Sequence, residues 1–223
     1  MSWGYLGKVP NRGDFIAHNV LPATRDLLFE WCQSTLAVSR EQLGQEWLEV
    51  YLTSPIWHFS AGPGTIGSTG VIGTMIPSVD RVGRHFPFMV LAEYVGAGLD
   101  AWLQSQWSST MEELVLAVLE DDWNEQDWQR RLSNVEHPVA VASRLRWPAG
   151  DGNSVIPGVA RETDWLRALL ERDNGMALWW TQGSMSVEPV TLLTDGLPKV
   201  GQFVSMLAGQ WERHGWQQGE LVD

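Results

Sequence analysis

The chain has 223 residues, 44% of them apolar and 19% charged, which is enough for one substantial core and excludes a disordered chain. Asp and Glu outnumber Lys and Arg 27 to 15, a formal charge of −12. A field of that sign repels phosphate backbones and anionic lipid, so nucleic acid and membrane surfaces are not expected partners.

In chain order, Trp3 to Leu6 predicts a short strand, followed by a loop whose punctuation is Gly7, Pro10, Asn11 and Gly13. From Pro22 the pattern becomes helical. Leu28, Cys32 and Leu36 recur every four positions, Pro22 suits a first turn, and Gly44 marks the stop. Cys32 is the only cysteine, so no internal disulfide forms; within this stripe it reads as a small buried hydrophobe. A shorter helix is expected over residues 47–52. Strands are expected over 56–59, 71–76 and 88–95, the last being the most apolar.

After Gly96 and Gly98, one long helix is expected to about Glu120, marked by Leu99, Leu103, Trp107, Met111, Leu114 and Val118. A further helical piece falls at 127–132. Residues 136–157, with Pro138, Pro148, Gly150, Gly152 and Pro157, read as a long surface loop or an internal seam. A helix over 163–172, a hairpin of strands 176–181 and 187–193 around Gly183, and an amphipathic helix over 198–211 complete the chain. Three strands in succession with no helix between them imply antiparallel neighbours. The expected fold is therefore α+β: a mostly antiparallel central sheet of five or six strands covered by helices on both faces, an α/β/α sandwich in one domain spanning 1–223. The 14 tryptophans, spread from Trp3 to Trp216, predict large core and interface surfaces rather than one aromatic platform, with Trp57 and Trp179 in the core. The opening residues carry no secretory apolar core and no run spans a bilayer, so the chain reads as cytoplasmic.

Most motif-like stretches lack the context their chemistry needs. Gly62-Pro63-Gly64-Thr65-Ile66-Gly67 spells a dinucleotide fingerprint, but strand or loop material follows it where a helix must open. It reads as a hairpin connection. His18, His58, His85, His137 and His214 show no metal-ligand spacing, and His58 and His214 read as ordinary surface or packing histidines. Glu112-Glu113 and Asp121-Asp122 read as solvated. No cofactor is implied. The one dense cluster is the loop between Pro77 and Pro87, where Asp80, Arg81, Arg84 and His85 fall within six positions. Arg12 and Asp14 are expected beside Asp80, Arg81 and Arg84, two loops tied by arginine–carboxylate pairs into one polar corner. Ser78, Asp80 and His85 form a weak triad, since one loop rarely holds all three members rigidly.

Gly4-Tyr5-Leu6-Gly7-Lys8-Val9-Pro10-Asn11-Arg12-Gly13-Asp14-Phe15 resembles the opening of the TagF (ImpM) proteins associated with bacterial type VI secretion. Ser39-Arg40, Leu43-Gly44, Trp47, Tyr51-Leu52 and Pro55-Ile56-Trp57-His58-Phe59 continue the likeness, and Pro77-Ser78-Val79-Asp80-Arg81-Val82-Gly83-Arg84-His85-Phe86-Pro87 is similar to the family's most recognisable segment. The likeness is strong over about residues 1–100, with a thinner echo at Leu178-Trp179-Trp180-Thr181-Gln182-Gly183-Ser184. It implies a non-enzymatic accessory protein that represses secretion post-translationally through the forkhead-associated scaffold protein Fha. It also implies a functional link to the PpkA kinase and PppA phosphatase. No catalytic residues carry over; Arg12, Asp14, Asp80, Arg81 and Arg84 carry over by position, as a partner-binding or structural corner. The competing readings are a phosphate-handling hydrolase built on Asp80, Arg81 and His85, and a structural subunit of the secretion apparatus.

Overall fold

The computed structural model describes residues 2–96, 98–104, 106–139, 176–217 and 219. Its centre is one sheet of seven strands in the order β2-β1-β5-β4-β3-β6-β7, with every neighbouring pair antiparallel. The strands are β1 (Gly4–Gly7), β2 (Ile16–His18), β3 (Trp57–Ala61), β4 (Gly70–Ile76), β5 (Phe88–Tyr94), β6 (Met176–Thr181) and β7 (Val190–Asp195). The helices are α1 (Pro22–Leu43), α2 (Trp47–Leu52), α3 (Gly98–Leu103), α4 (Gln106–Ala117), α5 (Glu125–Leu132) and α6 (Phe203–Ala208).

The central strands are buried on both faces, which is why their sequences run apolar without alternation. Side chains nevertheless alternate between two separate cores. Phe88, Val90, Ala92 and Tyr94 join Ile72 and Ile76 under α4 and α5, against Met111, Leu114, Trp128 and Leu132. Met89 and Leu91 join Val71 and Met75 on the opposite face, under Leu28, Trp31, Cys32 and Leu36 of α1 and Phe203 and Leu207 of α6. Trp179 and Trp180 divide between the two cores, one ring to each face. Trp57 is buried with Trp179.

The tryptophans also tie the layers by hydrogen bonds. Trp57 donates its indole N–H to the Met206 carbonyl of α6 at 3.0 Å, Trp128 to Leu114 of α4 at 2.7 Å, and Trp31 to Pro198 at 2.8 Å. Each of these three rings thus places its one polar atom on a backbone carbonyl distant in sequence.

Four boundaries differ from the sequence reading. The three residues of β2 form an edge strand inside what reads as loop. The expected long helix is two, α3 and α4. The Ala101 carbonyl accepts the Trp107 indole N–H at 2.8 Å, an acceptor that a continuous helix would use for the amide four residues on. The final helix is short: a 3₁₀ turn precedes α6, and Gly209 at φ 72 ends it, leaving Trp211 outside against Trp57. The last strand lies three residues later at its start than expected, because 182–189 fold as the connecting loop. Residues 62–69 connect β3 to β4, as the failed nucleotide fingerprint implied. The expected helix at 163–172 and most of the 136–157 loop lie outside the described residues.

Gly73 shows how close the packing is. A Cβ there would stand 2.5 Å from Phe59 Cζ and 2.6 Å from the Val90 carbonyl oxygen. Gly73→Ala is therefore expected to destabilise the fold by ~1–3 kcal/mol, read as a lower urea midpoint at constant slope; an unchanged midpoint would contradict this packing.

Candidate docking corner

The connection between β4 and β5 is a second, smaller hairpin. Val79 bridges His85, and Asp80 and Arg84 close a three-residue loop in which Gly83 takes φ 85, as such loops require. Asp80 is the organising group. Its Oδ1 accepts the backbone N–H groups of Val82 at 3.1 Å and Arg84 at 2.9 Å. Its Oδ2 accepts Arg84 Nε at 2.7 Å and Lys8 Nζ at 3.0 Å. Burial pushes the Asp80 carboxyl up, but these amides and cations outweigh it and hold it well below the usual carboxylate range.

The β1–β2 loop docks onto this hairpin mainly through backbone. Arg81 N–H donates to the Arg12 carbonyl at 2.9 Å, the Arg84 guanidinium donates to the Gly13 carbonyl, and Ser78 Oγ donates to the Lys8 carbonyl at 2.7 Å. Gly7 permits the approach: at φ 132, a Cβ would lie 2.2 Å from the Pro87 carbonyl oxygen. The same loop reaches α5. Arg12 pairs with Glu125 at 2.8 Å, Asn11 donates to the Trp123 carbonyl at 3.0 Å, and Tyr5 O–H donates to Glu125 at 2.6 Å while accepting from Gln129. Burial first, then Glu125, push the Tyr5 hydroxyl up to about 12, so it stays a donor. On the other side, Tyr51 exchanges hydrogen bonds with Ser78, accepting its N–H at 3.0 Å and donating to its carbonyl at 2.9 Å. His85 stands edge-on to Trp47 and Tyr51, and the Arg40 guanidinium lies 4.1 Å over the Trp47 ring.

Arg12, Asp80, Arg81 and Arg84 do come together, with pairings different from those expected. Asp80 takes Lys8 and Arg84 rather than Arg12, and Arg12 takes Glu125 from α5. Asp14 is exposed and makes no ion pair among the described residues. Arg81 is likewise exposed and unpaired, its guanidinium lying over Gly13. The hydrolase constellation does not converge: Asp80 faces its own loop's amides and Arg84, His85 faces aromatic rings, and Arg81 points to solvent. Ser78 Oγ is bonded to the Lys8 carbonyl and not to His85, so the triad does not form. Among the described residues, no group of three or more His, Cys, Asp or Glu is placed to hold a metal ion. Lys8 was legible, since it lies inside the Gly4–Phe15 stretch; Glu125 has no local signal. His58 is a packing histidine, and Glu112, read as solvated, is only partly so, because the two are partners. Buried His58 bonds Thr74 Oγ1 at 2.8 Å through Nδ1 and Glu112 at 2.9 Å through Nε2.

The fold is an α/β/α sandwich with a charged hairpin locked at one end of its antiparallel sheet. The family model for the TagF N-terminal domain, described as type VI secretion system-associated, matches residues 4–135. The chain belongs to the TagF family and is a type VI secretion-associated protein. The crystal structure of PA0076 from Pseudomonas aeruginosa PAO1 is similar to it over 100% of this chain and 97% of that one, at 28% sequence identity and a TM-score of 0.81. No curated protein matches. Among the described residues, no helix is long and apolar enough to cross a membrane.

Two expectations follow. Asp80→Asn keeps the shape but leaves Lys8 and Arg84 without their counter-charge, and is expected to cost ~2 kcal/mol or more in chemical denaturation. His85 is held below its ordinary value, first by burial and then by the Arg40 and Lys8 charges. The folded state therefore favours the neutral ring, so its contribution is complete above about pH 6.5 and declines as pH falls below that. His85→Phe, which keeps the ring contacts, should flatten the stability curve between about pH 7 and 5 relative to wild type; parallel curves would remove His85 from the account.

Proposed function

We propose that this protein is a non-enzymatic, post-translational repressor of type VI secretion that acts in the cytoplasm by binding a forkhead-associated scaffold protein, with Arg81 and Val82 at the contact. The supporting observation is the division of labour in the corner. Asp80, Lys8, Arg84 and Ser78 are all consumed in holding the hairpin. Its tip is left over: Val82 is 67% exposed and Arg81 has no ion-pair partner among the described residues. An arginine beside an apolar side chain on a rigid turn is a compact anchor of the kind that dominates protein interfaces. The kinase–phosphatase pathway of the same secretion system, PpkA and PppA, acts in parallel on this reading and needs no site on this chain.

Arg81→Glu tests the contact without touching the buried network. Binding of the purified chain to the forkhead-associated protein should weaken by about 2 kcal/mol or more, and overproduction of the variant should no longer suppress effector secretion. Unchanged binding by a folded Arg81→Glu variant would move the interface elsewhere. Failure of the wild type to bind the scaffold would end this reading.

A further inference from the structure

A second surface lies between α3, α4 and the end of β6: a groove of about 480 Å³ lined by Trp102, Ser109, Glu112, Trp180 and Gln182, among others. Its floor is anchored from below. His58 is 1% exposed and its Nε2 meets Glu112 Oε1 at 2.9 Å. A carboxylate accepts only, so Nε2 presents a proton to Glu112, and Nδ1 lies 2.8 Å from the Thr74 hydroxyl. That contact engages one Glu112 oxygen, an acceptor that a glutamine amide could also provide. Among the described residues, Oε2 has no hydrogen-bond partner and no Lys or Arg pairs with Glu112.

The walls add to that charge. Trp102 on α3 is 37% exposed, and Trp180 closes the groove with its ring set by His58 at 5.6 Å and by Trp107, edge-on, at 5.8 Å. A fixed carboxylate with a free oxygen between two indoles is suited to a cation. A planar guanidinium fits better than an ammonium, because it stacks on an indole while its N–H fork reaches Glu112 Oε2 and the Gln182 amide oxygen. The groove is larger than one side chain requires and lies in the range of sites that hold a whole ligand.

We propose that this groove receives an arginine side chain from a basic segment of a partner protein, with Glu112 as the charge partner, Trp102 and Trp180 as the aromatic walls, and His58 as the positioning residue for Glu112. The site hangs on β3, β4 and β6, apart from the Asp80 hairpin, and the proposal does not rest on the scaffold-binding reading. The chain's charge of −12 draws a basic segment toward it.

The test is an NMR titration of the ¹⁵N-labelled chain, following the indole N–H signals of Trp102 and Trp180. The probes are acetyl-Gly-Arg-Gly-amide and the same peptide with citrulline, a neutral isostere, at matched ionic strength. Saturable shifts confined to those indoles are expected with arginine, and binding about tenfold weaker or more with citrulline. Glu112→Gln, which keeps an oxygen for His58, and Trp102→Ala, at an exposed ring, should each weaken the arginine peptide to a similar degree. Equal responses to the two peptides, unchanged binding by Glu112→Gln, or shifts scattered without saturation over the acidic surface would each overturn the proposal.

Discussion

The Asp80 carboxylate is the constraint on which the hairpin end of the sheet depends. A buried carboxylate without partners would cost several kcal/mol, so the chain around it is obliged to deliver donors. Two come from the turn itself, which fixes 80–84 as a tight hairpin; two come from cations, one of them Lys8, just past β1. Because Lys8 must reach Oδ2, the β1–β2 loop is brought against the β4–β5 connection, and its carbonyls then receive Arg81 and Arg84. One anion thereby joins the ends of three strands. The exposed Arg12–Glu125 pair adds only ~0–1 kcal/mol, so its contribution is to aim α5 rather than to hold it.

The sheet sets a different constraint. Strands buried on both faces leave no solvent side, so helices must cover each face, and their own ends must find partners in a dry interior. The tryptophan-rich composition answers both needs together. Indoles fill the wide space between sheet and helix, and their N–H groups meet carbonyls at Pro198, Met206, Ala101 and Leu114. The break between α3 and α4 is a product of this arrangement, since the Trp107 indole occupies a carbonyl that helix continuation would use. Trp102, on α3 before that break, lines the groove beside Glu112.

Local signals were legible wherever the chain itself enforces the structure. Pro22 and Gly44 bracket α1, the apolar runs of β4 and β5 announce strands buried on two faces, and Gly83 between charged residues announces a tight turn. Pairings across long separations were not legible. That Arg12 takes Glu125 and not Asp80 depends on where α5 lands after 112 intervening residues have folded. Glu112 looks like one more solvated acid on a helix; only the register of β3 against β4 and β6 places His58 beneath it. The family resemblance draws both loops into its motifs, yet it does not distinguish the residues that hold the hairpin from those that project from it. That distinction is one of burial, and burial is a property of the assembled layers.

Charge layout explains how one small protein could present two such surfaces without their interfering. The net charge of −12 produces a field felt at long range, and that field favours approach by basic faces. At physiological salt it is screened beyond about 8 Å, so within contact distance local groups decide. At the hairpin tip the local group is Arg81, which selects an acidic or carbonyl-rich spot. In the groove it is Glu112, which selects a cation. On the two proposals, a partner drawn in by the common field is sorted by sign at contact, and reversing one local charge alters one surface while leaving the shared steering nearly intact. The two surfaces are for this reason separable by single substitutions, which a site dependent on the overall acidity would not be.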